Sequence, residues 1–119
     1  MPKQSIPLTD DNRLKHMLDA ALEAIGFAQG LDRAALGNNR LAILAIVKDI
    51  EIIGEAASKV TEARHTRHPE IPWRAIIDMR NHLIHGYFDV DVDQVWSTLI
   101  QDLPPLIAEL QKLLANDSA

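Results

Sequence analysis

Between Leu41 and Ile53, apolar residues occupy nearly every side of the chain's helical pattern, interrupted only by Lys48, Asp49 and Glu51. A helix with so wide an apolar face has to be covered by several neighbours or by a second chain, so this segment belongs at the centre of a helical bundle. The pattern runs from residue 40 to about residue 64 and becomes more polar from Glu55 onward.

Other amphipathic segments surround it. Thr9 or Asp10 caps a first helix in which Leu14, Met17, Leu18, Ala21, Leu22, Ile25 and Ala28 recur at steps of three and four, ending near Gly30. Leu31 to Leu36 adds a short turn with Asp32 as its cap, and Gly37-Asn38-Asn39 is a break. His65 to Pro72 reads as a connector. Pro72 suits the first position of the next helix, where its missing N–H has no helical partner to lose. That helix sets Trp73, Ile76, Ile77, Arg80, Leu83, Ile84 and Tyr87 along one broad side and is expected to end at Gly86. After a short link from Phe88 to Val92, Asp91 or Asp93 caps a last helix through Val95, Trp96, Leu99, Leu103, Leu106, Ile107, Leu110 and Leu114. Pro104-Pro105 must kink or split it. Trp73 and Trp96 are expected as core anchors, and no segment reads as a strand. The expected fold is all-α, an up-and-down bundle in a single domain over residues 1–119, with polar tails at about 1–8 and 116–119.

Composition agrees. With 47% hydrophobic but only 4% aromatic residues, packing of helix on helix is favoured over a β-sandwich. The absence of cysteine excludes a disulfide framework and a thiolate metal site. The longest apolar run, Leu41 to Val47, is far short of the ~20 residues of a membrane span. A cytoplasmic protein with no membrane association is expected.

The formal net charge of −5 argues against wrapping a long nucleic acid by bulk attraction, but leaves room for a local basic cleft. Between Lys59 and Tyr87 there are five Lys/Arg (Lys59, Arg64, Arg67, Arg74, Arg80) against three acids (Glu62, Glu70, Asp78), together with His65, His68, His82 and His85.

The densest chemistry lies in Arg80-Asn81-His82-Leu83-Ile84-His85-Gly86-Tyr87. A guanidinium can grip phosphate through a planar fork, and an imidazole moves protons near neutral pH. Together they meet the needs of RNA cleavage without a metal: a base for the 2′-hydroxyl, an acid for the leaving oxygen and a cation for the phosphate. On spacing alone, the same residues also read as ordinary cations at a helix end. On a straight helix, Arg80 and His85 stand about 140° apart, whereas Arg80 and Tyr87 share a face and His82 lies beside His85. Arg80 and His85 then converge only if the Arg side chain sweeps round, the helix ends near His85, or two chains pool their residues. Glu55 and Lys59 form an i, i+4 pair that reads either as a surface ion pair or as part of a cleft or interface. Asn81 could donate to phosphate or to a helix end. His65-x2-His68 and His82-x2-His85 invite a zinc reading, but no third ligand is evident and no metal or other cofactor is expected.

Arg80-x4-His85-x-Tyr87 resembles the signature of the HepT-like branch of the HEPN superfamily. So do, in the same order, Ile53-Gly54-Glu55-Ala56-Ala57-Ser58-Lys59, His68-Pro69-Glu70-Ile71-Pro72-Trp73, Met79-Arg80-Asn81, and Tyr87-Phe88-Asp89-Val90-Asp91 with Val95-Trp96 following. The likeness covers roughly residues 12–115. One departure is Gly86, where many relatives carry an acid. The resemblance implies a four-to-five-helix bundle and a homodimer whose composite cleft joins Arg80 and His85 of both subunits. It implies a metal-independent endoribonuclease, the toxin of a type VII toxin–antitoxin pair. Its partner would be a small nucleotidyltransferase antitoxin of the MNT type, which transfers AMP to Tyr87. Asn81 and His82 would support the catalytic pair, and Glu55 and Lys59 would line the cleft or interface. The competing readings are a non-catalytic HEPN module that binds nucleotide or partners a nucleotidyltransferase, and a plain helical dimerisation protein.

Overall fold

The computed structural model describes residues 9–85 and 89–117, with His85 and Asp117 described in their backbone only. Helix α1 (Asp10–Phe27) starts at Thr9, whose hydroxyl accepts from the Asn12 N–H at 3.1 Å. Asp10 and Asp11 fill the first turn, where the helix dipole favours negative charge. The chain leaves α1 through Gly30, at a φ of 78° that suits glycine. Asp32 caps α2 (Arg33–Gly37), and Asn39 caps α3 (Arg40–Lys59). Each side chain accepts the backbone N–H three residues on, as the first free donors of a helix require.

Helix α3 is the axis of the fold, as its apolar girth demands. Ile46, Ile50 and Ile53 are fully buried. Helix α1 packs along α3 and α7 packs on α1, while α5 and the turn after it lie against α3. Gly54 makes the α3–α5 approach possible. A Cβ built there would stand 3.3 Å from the carbonyl oxygens of both Ile76 and Ile77. Both oxygens belong to backbone that cannot swing aside as a side chain would.

The long helical pattern ends earlier than its sequence suggests. Val60 turns extended, with φ −64° and ψ 137°, and Thr61 caps a separate helix α4 (Glu62–Arg67). Asp10 holds this corner by accepting from the Thr61 N–H at 3.0 Å and from its hydroxyl at 2.6 Å. The first three residues of the expected connector, His65 to Arg67, are therefore helical. Pro72 sits one position earlier than expected, as the N-cap of α5 (Trp73–Asp78). Trp73 is a core anchor: its indole N–H donates to the carbonyls of His65 (3.2 Å) and His68 (3.1 Å), and its ring stacks on His65 at 4.2 Å. Trp96 is half-buried against the core.

The largest departure follows. Helix α5 does not continue to Gly86. It gives way to a 3-10 turn, Met79–His82, and then to strand β1 (Ile84–His85), which pairs antiparallel with β2 (Asp89–Val90). A strand was not expected here. The pairing sets Ile84 opposite Val90, and both pack against the core. Burial of two β-branched residues outweighs one more turn of helix. The Asp91 N–H closes the excursion by donating to the Leu83 carbonyl at 2.7 Å.

Asp91 then caps α6 (Val92–Ser97). Residues Thr98–Asp102 are π-helical and lead into α7 (Leu103–Asp117). Pro104 and Pro105 have no N–H to offer the carbonyls of Ile100 and Gln101, and the wider π turn absorbs the break. The architecture is the expected all-α bundle, with one two-residue ladder added. Among the described residues, no helix is long and apolar enough to cross a membrane.

Candidate active site

Arg80 lies in the 3-10 turn and reaches back over α3. Its Nε stands 3.1 Å from Glu51 Oε1 in an ion pair, with the Arg80 side chain half exposed and Glu51 more covered. Among the described residues, Arg80 makes no other polar contact.

Arg80 and Glu51 border two adjoining hollows on the outer face of α3. One, of about 460 Å³, is lined by Arg13 and His16 from α1 and by Lys48, Glu51, Ile52, Glu55 and Lys59 from α3. The other, about 380 Å³, adds Arg40, Leu44 and Val47 from α3 with Ile84 and Val90 from the ladder. Lys48, Glu51 and Arg80 line both, which makes them one groove. Glu55 is paired with Lys59 at 3.3 Å, both side chains exposed, so this i, i+4 pair lies on the groove wall.

Local rules explain why these groups meet. On α3 the outward positions recur at helical spacing: Leu41, Leu44, Lys48, Glu51, Ile52, Glu55 and Lys59. Arg13 and His16 lie three apart on α1 and share its exposed face. The Gly54 contact brings α5 close enough for the following turn to set Arg80 on the same surface. The expected basic stretch from Lys59 to Tyr87 is therefore not the cationic surface that forms. Only Lys59 and Arg80 of it line the groove, which Arg13, Arg40 and Lys48 complete. The stripe Lys48–Glu51–Glu55–Lys59 was visible as an i, i+3/i+4 series, whereas the join with α1 is tertiary and was not.

The other expected site residues are placed as follows. Asn81 is exposed in the 3-10 turn. His82 is also exposed, but lines a different, mainly apolar hollow between α5 and α7, with Ile76, Met79, Asp102, Leu103 and Glu109. Arg80 and His82 thus serve separate surfaces. His85 is in β1, opposite Asp89. Because the helix ends before Ile84, the helical arithmetic that set Arg80 with Tyr87, and His82 beside His85, does not apply. Tyr87, like Gly86 and Phe88, lies outside the described residues. Of the two histidine pairs at metal-like spacing, His65 and His68 have structural duties. His65 Nε2 meets the Ala57 carbonyl at 2.9 Å, and His68 Nδ1 meets Glu70 at 3.4 Å.

One further titratable group stands out on the buried side of α3. Asp49 is buried and is raised to about 7 by that burial and by the Glu23 carboxylate across on α1. Its Oδ2 has no hydrogen-bond partner among the described residues.

The family model described as ribonuclease HepT-like matches residues 17–113. A Methanocaldococcus jannaschii protein described as "Putative RNase" is 32% identical over 116 residues, covering 98% of this chain and 97% of the relative. A second "Putative RNase" of that organism is 31% identical over 98 residues, covering 82% and 90%. A Thermococcus cleftensis protein described as "Probable ribonuclease HepT" is 45% identical over 69 residues, 58% of this chain and 63% of the relative. The match therefore spans less than two thirds of that last relative's length. No solved structure matches the chain significantly.

Proposed function

The chain belongs to the HepT-like ribonuclease family, and from that membership we propose that it is a metal-independent endoribonuclease with Arg80 and His85 as its catalytic pair. The observation that carries this reading is Arg80 itself: a half-exposed guanidinium 3.1 Å from the Glu51 carboxylate, in a cationic groove of a chain whose net charge is negative.

In the proposed reaction, His85 accepts the proton of a ribose 2′-hydroxyl. The freed 2′-oxygen attacks the adjacent phosphorus, and the bond from phosphorus to the 5′-oxygen breaks. A second imidazole, His85 of another copy, protonates the departing 5′-oxygen. The products are a 2′,3′-cyclic phosphate and a 5′-hydroxyl. Arg80 binds the phosphate oxygens as charge accumulates on them.

Two exposed apolar residues support pairing with a second copy. Leu41 is 81% exposed and Leu44 46%, on the N-terminal half of α3. Leu44 also walls the groove beside Arg80. In a two-fold interface, only a residue close to the symmetry axis lies near its own mate, so an axis passing beside Arg80 would unite two Arg80–His85 pairs in one cleft. Within that reading Asn81 supports phosphate binding and Glu55 and Lys59 line the cleft. His82 keeps only a supporting part from its neighbouring surface. The biological role proposed is a toxin in the cytoplasm, paired with an MNT-type nucleotidyltransferase antitoxin that silences it by transferring AMP to Tyr87.

The test is cleavage of a defined RNA in EDTA by the wild type, Arg80→Ala and His85→Ala. Cleavage by the wild type alone, with cyclic phosphate ends, is expected. An intact RNA in all three samples, with nucleotide bound instead, would favour the non-catalytic HEPN module.

A further inference from the structure

Five permanent cations line the groove over α3, drawn from three elements: Arg13 on α1, Arg40, Lys48 and Lys59 on α3, and Arg80 on the 3-10 turn. Two carboxylates share it, and each is already engaged: Glu51 with Arg80 and Glu55 with Lys59. Arg13, Arg40 and Lys48 have no ion-pair partner among the described residues. The groove thus keeps an excess of three positive charges on a chain of net charge −5. Like charges brought together without counter-ions repel one another, and folding gains nothing from setting Arg13 beside Lys48. The arrangement becomes favourable when a polyanion lies across it.

The shape of the array indicates which polyanion. Lys48 and Lys59 are eleven residues apart on one helix, about 16 Å along its axis at about 1.5 Å per residue. Arg13 flanks this line from α1, and Arg80 lies on its other side, so the charges form a track and not a single-phosphate cradle. The Glu55–Lys59 pair is exposed, and such a pair contributes little, so Lys59 can exchange its carboxylate for a phosphate. Between the charged positions Ile52 is partly exposed and offers an apolar patch against which a base can rest.

We infer that this groove seats the phosphodiester backbone of a single-stranded RNA, with Arg13, Lys48 and Lys59 as phosphate contacts that lead the strand into Arg80. The inference rests on the ribonuclease reading above and adds to it a binding track drawn from α1 and α3, outside the Arg80-x4-His85 motif in sequence. Arg13 and Lys48 orient the strand and touch no reacting atom.

The experiment uses the full chain carrying His85→Ala, to prevent turnover, and a fluorescently labelled single-stranded RNA, read by anisotropy across a range of salt. Arg13→Gln with Lys48→Gln should weaken binding about tenfold at moderate salt, and should flatten the plot of log affinity against log salt by about 0.7 for each lost contact. Lys112→Gln, an exposed cation on α7 away from the groove, should change neither quantity. Equal losses from Lys112→Gln and the double variant would mean bulk charge and overturn the inference. So would an unchanged salt slope in the double variant while the wild type still cleaves RNA, which leaves the ribonuclease reading standing. A double variant that binds RNA normally but changes its mass in light scattering would assign this face to a protein partner, also against the inference. A wild type that neither binds nor cleaves RNA removes both readings together.

Discussion

Glu51 and Arg80 are joined by a 3.1 Å contact from guanidinium Nε to carboxylate Oε1, across two elements that are far apart in sequence. Among the described residues, no other group engages Arg80, so its two terminal nitrogens remain for a phosphate. Glu51→Ala should therefore lower kcat about tenfold with KM for RNA unchanged or reduced, since an oriented phosphate contact is lost while a negative charge leaves the groove. Glu51→Gln keeps an oxygen that accepts from Nε and should recover much of the rate. Steady-state cleavage of one defined RNA separates the possibilities. If both variants cleave faster than wild type, Glu51 is a counter-charge that restrains binding and does not orient Arg80.

Arg80→Lys tests the fork itself. A lysine keeps the charge but cannot hold Glu51 through one nitrogen while presenting two more in a plane. Cleavage should fall by at least tenfold, with the melting temperature near that of wild type because the side chain is half exposed. Full activity in the lysine variant would reduce Arg80 to a source of positive charge.

Leu41 and Leu44 carry the prediction about assembly. Leu44→Glu places a charge in the exposed apolar stripe of α3 and should yield a monomer by light scattering. If the cleft is shared between two copies, cleavage is lost even though Arg80 and His85 are intact. A monomeric variant with full activity would show that one chain suffices.

Gly54 links the fold to the site. Its position allows α5 to lie against α3, and the turn that follows α5 carries Arg80. In Gly54→Ala the added carbon meets two backbone carbonyl oxygens at 3.3 Å, so α5 must shift by a few tenths of an ångström. Overpacking of this kind costs about 1–3 kcal/mol. The melting temperature should drop by several degrees, and cleavage should fall further than the remaining folded fraction explains. An alanine variant with unchanged stability and rate would mean that α5 yields without moving Arg80.

Much of this architecture was legible in the sequence because it is written locally. The caps Thr9, Asp32 and Asp91 each act within three residues, and the girth of Leu41–Ile53 announced a central helix. The end of α3 at Lys59 was not legible, since Val60 and Thr61 leave the helix partly through the tertiary bonds from Thr61 to Asp10. Nor was the strand at Ile84–His85, where Ile84 meets Val90 only once the chain has returned. That second miss matters most for the site. A helix drawn through Tyr87 gave Arg80, His82 and His85 angular relationships that the 3-10 turn and strand β1 replace. Arg80 was identifiable from its motif, but its partner Glu51 and the flanking Arg13 and Lys48 come from other elements.

Asp49 makes stability depend on pH. Burial first, and then the Glu23 carboxylate, raise it from 3.8 to about 7 in the folded chain. Between those values the unfolded chain has released the Asp49 proton while the folded chain still holds it, so the unfolded state binds fewer protons. Stability from this group is therefore highest below about pH 4, falls as pH rises toward about 7, and is level above that. Asp49→Asn removes the titration while keeping the side chain's size. The variant should melt close to wild type near pH 4 and several degrees higher at pH 8, the gap opening between the two. Thermal unfolding at half-unit pH steps gives the curve. A constant offset at every pH would mean that Asp49 ionises as an ordinary carboxylate and that the amide acts only through packing. A gap that closes with rising pH would mean that the carboxylate is stabilised in its charged form, the reverse of what its burial beside Glu23 implies.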